Sequence, residues 1–122
     1  MAKKILLVDD EPDIVLMVET RLKANGYEVV TARDGVTGLE MAKKAKPDLV
    51  ILDLMLPKMD GYKVCGLLKK DTRYAKIPIV LFTAKALDQD LKLGQEVGAD
   101  AYLTKPFDAE ILLAKIRELV GC

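Results

Sequence analysis

The chain contains no histidine. That absence excludes a phosphohistidine donor, a histidine-based triad and a histidine metal site. Only two cysteines occur, Cys65 and Cys122, and they lack the spacing of a metal site or a disulfide scaffold. Cys65 reads as core packing. No apolar run approaches the roughly 18 residues of a membrane span. The opening MAKKILLVDDEP meets carboxylates too early for a secretory signal. The expected setting is a reducing cytoplasm, with no membrane partner. An excess of one charge is also missing, since 19 Lys+Arg balance 19 Asp+Glu. Nothing therefore argues for direct binding of nucleic acid. Neither GxxxxGKS/T nor GxGxxG is present, which counts against a nucleotide module.

What is present suits a single domain. Residues 1–122 are 51% hydrophobic and 31% charged, enough to build a core and keep it in solution. Apolar runs stand at 4–8 (KILLV), 49–52 (LVIL), 79–82 (IVLF) and 101–103 (AYL). The first three are nearly continuous, as expected of strands covered on both faces of a parallel sheet. EVVTA at 28–32 is a more polar fifth strand, nearer an edge. Helical spacing links Ile14, Met17, Val18 and Leu22, then Val36, Leu39 and Ala42, then Val64, Cys65 and Leu68. A fourth helix is predicted from an Asp88 cap through Leu91 to about Gly98. Asp108 caps a fifth, with Leu112, Ile116, Leu119 and Val120 on one face. Five βα units predict a parallel sheet with helices on both faces.

Ligands of such sheets bind beyond the carboxyl ends of the strands. Asp9 and Asp10 follow the first strand, Asp53 ends the third, Thr83 ends the fourth and Lys105 follows the fifth. Two like charges about 4 Å apart repel by roughly 4 kcal/mol at an effective dielectric near 20, so three carboxylates invite a proton or a cation. An oxygen-only donor set suits Mg²⁺. Asp10 and Asp53 are expected as direct ligands, and Asp9 mostly through water. A carboxylate oxygen can take a phosphoryl group, and that chemistry needs positioning and charge neutralisation above all. Asp53 would accept the group, Lys105 would neutralise one oxygen and the Thr83 hydroxyl would donate to another.

VDDEP, LDLMLPKMDG, TA and KPF, in this order and spacing, resemble the receiver domain of two-component response regulators. The resemblance spans essentially the whole chain. It implies a CheY-like, flavodoxin-like (βα)5 fold with strand order 2-1-3-4-5. It makes Asp53 the phosphoacceptor, Asp9 and Asp10 the acidic pair, Thr83 the switch hydroxyl and Lys105 the phosphate-binding lysine. The metal set gains the backbone carbonyl of Met55, and the Lys105–Pro106 bond is a candidate cis peptide. Tyr102 would move inward with Thr83 and alter the face formed by the fourth helix, fifth strand and fifth helix.

The implied function is a phosphorylation-controlled switch in a phosphorelay, one that assists its own phosphorylation and dephosphorylation but is no turnover enzyme. Its partners would be a sensor histidine kinase or phosphotransfer protein and a downstream protein target. A monomer or weak phosphorylation-dependent dimer is expected, since Ala101 replaces the second aspartate often found after GAD. Met55 and Lys85 occupy the positions that tune phosphoryl loss. Whether the chain acts alone or belongs to a longer one stays open.

Each residue also has a plainer reading. Asp9 or Asp10 alone could cap the first helix, Asp53 could form a turn, and Lys105 could be a solvated lysine. Their joint occurrence at converging strand ends favours the functional reading. A phosphatase of the haloacid dehalogenase type wants an aspartate where Met55 stands. A flavin site would not place bare carboxylates against a phosphate.

Overall fold

The computed structural model describes residues 2–83, 97–105 and 108–121. Five strands form one sheet: β1 (Lys4–Val8), β2 (Glu28–Ala32), β3 (Leu49–Asp53), β4 (Ile79–Thr83) and β5 (Ala101–Thr104). All pair in parallel, in the order β2-β1-β3-β4-β5, as expected. The described helices are α1 (Pro12–Ala24), α2 (Gly35–Ala45), α3 (Gly61–Lys70) and α4 (Ala109–Val120). The helix predicted from Asp88 lies outside the described residues except at its end, where Gly98 adopts φ +87°. The Lys105–Pro106 bond, Lys85 and Cys122 also lie outside them.

Alternation along the strands builds two cores. Ile5, Leu7, Leu49, Ile51, Val80 and Phe82 face α1 and α4, whereas Leu6, Val8, Val50, Leu52, Ile79 and Leu81 face α2 and α3. Every residue of β3 is buried, while β2, at the edge, is buried only at Ala32. Helix starts follow local chemistry. Pro12 opens α1, and Asp34, Asp60 and Asp108 cap α2, α3 and α4 through bonds from the N–H groups of Thr37, Lys63 and Glu110.

Two helical faces differ from expectation. On α1 the buried line is Val15, Val18 and Leu22, with Ile14 half-buried and Met17 exposed. The run IVLMV is apolar all round, so its periodicity fits two faces, and the contact with the sheet selects one. On α2 the buried residues are Gly35, Gly38 and Ala42, while Val36 is exposed and Leu39 half-buried. Small residues win because the helix lies close on β1: a Cβ on Gly38 would come 2.8 Å from Val8 Cγ1. On α4, Leu113 joins Leu112 and Ile116 in the core, and Leu119 and Val120 are only half-buried.

Lys69 ties the far end of the sheet together. Its ammonium donates to the carbonyls of Ala75 and Ile77 at 3.1 and 2.9 Å and to Asp100 Oδ2 at 2.7 Å. Asp100 Oδ2 also accepts from the Ile79 N–H at 2.8 Å, so the entry to β4 and the approach to β5 share one cation. Lys69→Met keeps the side-chain stem but strands these acceptors, and should cost about 2–3 kcal/mol. A urea midpoint unchanged from the parent would contradict this role for the ammonium.

Candidate functional site

The alternation that builds the cores also aims the site. Asp9 continues the face of Ile5 and Leu7, Asp53 that of Leu49 and Ile51, and Lys105 that of Ala101 and Leu103. These side chains therefore meet on the α1–α4 side, at the carboxyl end of the sheet. Asp9 is fully buried and Asp53 nearly so, at 3% exposure.

The Lys105 ammonium stands 2.9 Å from Asp9 Oδ2, 3.0 Å from Glu11 Oε1 and 3.1 Å from Asp53 Oδ2. It also lies 5.3 Å from the centre of the Phe82 ring, the residue paired with Asp53 across β3 and β4. Carboxylate oxygens of Asp9, Asp10, Glu11 and Asp53 all fall within 4.8 Å of one another. One cation thus faces a cluster of four acids.

Local turns hold the cluster. The Glu11 N–H donates to Asp9 Oδ1 at 2.9 Å, folding the DDE segment back on itself. The Met55 N–H donates to Asp53 Oδ1 at 3.3 Å, and the Met55 side chain is exposed. The loop 54–60 is wedged between two helix starts. Gly35 N–H donates to the Pro57 carbonyl at 3.1 Å and Gly61 N–H to the Leu54 carbonyl at 3.0 Å. A Cβ on Gly35 would strike the Met59 carbonyl, and one on Gly61 the carbonyl of Asp53 itself.

Protonation follows the crowding. Burial, then repulsion from Asp9, raises Asp53 to about 6 despite the attraction of Lys105. Burial on its own would lower Lys105. The close approach of Asp9, the hydrogen bond to Glu11, and the charges of Asp53 and Asp9 outweigh it and hold Lys105 above the usual lysine range.

The donor set accommodates a divalent ion. Asp9 Oδ2 is buried, and although the Lys105 ammonium is near, it lies off the hydrogen-bond direction, so this oxygen has no aligned donor. A buried anionic oxygen of this kind, beside three other carboxylates, matches the hard-cation preference for oxygen.

Of the residues expected from the sequence, Asp9, Asp10, Asp53 and Lys105 come together. Met55 joins through its backbone N–H. Thr83 closes β4 opposite Thr104, and its hydroxyl lies outside the described part of the structure. Tyr102 is half-buried on the opposite face, against the α2–α3 core. Glu11 was not expected. Its signal was three consecutive acids, DDE, of which the third reads as the start of a helix.

The model of the response regulator receiver domain family matches residues 5–117. Over 117 residues the chain is 48% identical to the DNA-binding dual master transcriptional regulator RpaA of Synechocystis, covering 96% of this chain and 48% of that protein. The chain spans about half the length of that relative. Chemotaxis protein CheY4 of Vibrio cholerae superposes with a TM-score of 0.92 at 35% identity, covering 98% of this chain and 99% of its own. The receiver domain of sensor histidine kinase PA1611 of Pseudomonas aeruginosa, with a magnesium ion coordinated in its active site cleft, superposes with a TM-score of 0.91 at 30% identity over 100% of both chains.

Proposed function

We propose from one premise, that this chain belongs to the response regulator receiver domain family, that Asp53 is its phosphoryl acceptor. Members of the family are phosphoryl-accepting signalling switches of two-component systems, and this chain is one of them. The observation that supports Asp53 is convergence: one buried ammonium and three further carboxylates gather around this single strand-end oxygen pair.

A carboxylate oxygen of Asp53 attacks phosphorus in line, and the leaving group departs with the bonding pair. Lys105 moves onto a phosphoryl oxygen as charge builds there. Asp9, Asp10, Asp53 and the Met55 carbonyl would hold Mg²⁺. When bound, that ion supplies charge neutralisation for the phosphoryl oxygens. The Thr83 hydroxyl takes another oxygen, and Tyr102 follows it inward as the switch residue. The chain thereby assists its own phosphorylation and, through water, its dephosphorylation. With no histidine of its own, it takes the group from a sensor histidine kinase or a phosphotransfer protein and passes the signal to a downstream protein. A monomer or a weak phosphorylation-dependent dimer in the cytoplasm fits this role. Among the described residues no helix is long and apolar enough to cross a membrane.

Beryllofluoride with Mg²⁺ tests the assignment. It should shift amide resonances at Asp53, Thr83 and Tyr102 in the parent and leave Asp53→Asn unmoved. An equal response in the variant would sink it. Metal binding should also track Asp53. Its proton, held up to about pH 6, must leave before the oxygen can ligate. Mg²⁺ affinity is therefore expected to be flat above that pH and to fall by up to about tenfold per unit below it. A profile still flat at pH 5 would remove Asp53 from the ligand set.

A further inference from the structure

Glu11 has no task in the fold that explains where its carboxylate lies. Its backbone is already fixed on both sides, the N–H on Asp9 Oδ1 at 2.9 Å and the carbonyl under the Val15 N–H at 3.0 Å. It is the N-cap of α1, yet its side chain makes no capping hydrogen bond. Instead that side chain, 57% exposed, reaches inward to an ammonium only 8% exposed.

The Lys105 ammonium donates aligned hydrogen bonds to Glu11 Oε1 and Asp53 Oδ2, and Asp9 Oδ2 presses on it at 2.9 Å. A phosphoryl oxygen on Asp53 competes with these three anions for the one ammonium, and its grip tightens as one of them is given up. Releasing Asp9 or Asp53 leaves a buried charge without its counterion, which is costly. Releasing Glu11 returns a carboxylate to water.

We propose that Glu11 is a positioning residue for Lys105: a releasable anchor that holds the ammonium between Asp9 and Asp53 in the unphosphorylated protein and yields it when the phosphoryl group arrives. The inference rests on Asp53 being the acceptor. Glu11 then competes with the incoming group for Lys105, and so sets how readily the site captures it. The rival role is direct metal ligation, because the Glu11 carboxylate belongs to the same cluster of acids.

A double-mutant cycle separates the two. Beryllofluoride affinity at saturating Mg²⁺ is measured for the parent, Glu11→Gln, Lys105→Met and the double variant. Glu11→Gln should bind beryllofluoride about two- to fivefold more tightly than the parent, the range a partly exposed ion pair supports. That gain should disappear when Lys105 is already methionine, since a plain change of charge would persist in both backgrounds. Glu11→Asp, shorter by one methylene, should behave like Glu11→Gln. In metal-free protein the ¹⁵N-labelled Lys105 ammonium should exchange its hydrogens faster in both Glu11 variants.

No gain, or an equal gain in both backgrounds, overturns the anchor. So does a loss of Mg²⁺ affinity of about tenfold or more in Glu11→Gln, which would make the residue a ligand. A parent protein that takes up no beryllofluoride overturns the acceptor assignment and the anchor together, whereas uptake without coupling removes the anchor alone.

Discussion

Asp53→Asn should make the metal-free protein more stable at pH 7.5, although it removes the residue the site is built around. In the folded chain the Asp53 carboxyl titrates at about 6, raised chiefly by burial and then by Asp9. In the unfolded chain it titrates near the ordinary aspartate value of about 3.9. The folded state thus holds this proton more firmly, and the sign follows. Below about pH 4 both states are protonated and Asp53 carries no penalty; as pH rises through about 6 the folded state alone has to ionise a buried group. That difference corresponds to roughly 3 kcal/mol, and water access at the cleft mouth reduces this to about 1–2 kcal/mol. The neutral isostere escapes that cost. Its melting temperature should exceed the parent's by about 5 °C at pH 7.5 and match it at pH 4. Saturating Mg²⁺ should reverse the order, because only the parent gains from binding, by about 2.7 kcal/mol at a hundredfold over its dissociation constant. Coincident melting curves at both pH values would show that the acidic cluster carries no strain.

The architecture was legible because strands buried on both faces leave a strong mark. KILLV, LVIL and IVLF are nearly continuous apolar runs, and each became a central strand with nearly the expected ends. Site residues at strand ends were legible for a related reason. A carboxylate such as Asp53 closing an apolar run has no cheap structural explanation, so its type and place together point to chemistry. Helix faces were harder. Val36 looked like core and is exposed, whereas Gly35 and Gly38, which the apolar pattern passed over, are buried. Hydropathy ranks a large apolar side chain above glycine, but an interface that brings backbone against backbone selects the opposite. Glu11 escaped for another reason. Its role depends on a lysine 94 positions away, and nothing local in DDEP distinguishes a carboxylate turned inward from one in solvent.

Gly61 supports the other large prediction. It opens α3 at the point where that helix abuts the end of β3, and its N–H closes the loop on the Leu54 carbonyl at 3.0 Å. A methyl group there meets the backbone carbonyl of Asp53 and the Cα of Leu54, not the tip of a flexible side chain. Neither strand nor helix can yield cheaply. β3 is buried at every position, and α3 is pinned by the Asp60 cap on the Lys63 N–H at 2.9 Å. Gly61→Ala should therefore cost about 3 kcal/mol or more and lower the melting temperature by about 10 °C or more. The displaced atom belongs to the acceptor residue, so the variant should also lose at least about tenfold in beryllofluoride affinity while still folded. The contrast with Gly66→Ala isolates the cause. Within the same helix, a Cβ at Gly66 meets only the Val97 side chain at 3.9 Å, an ordinary contact. That substitution should raise stability by about 0.5–1 kcal/mol through helix propensity and leave beryllofluoride affinity intact. If Gly61→Ala proved as benign as Gly66→Ala, the close approach of α3 to the acceptor strand would be refuted.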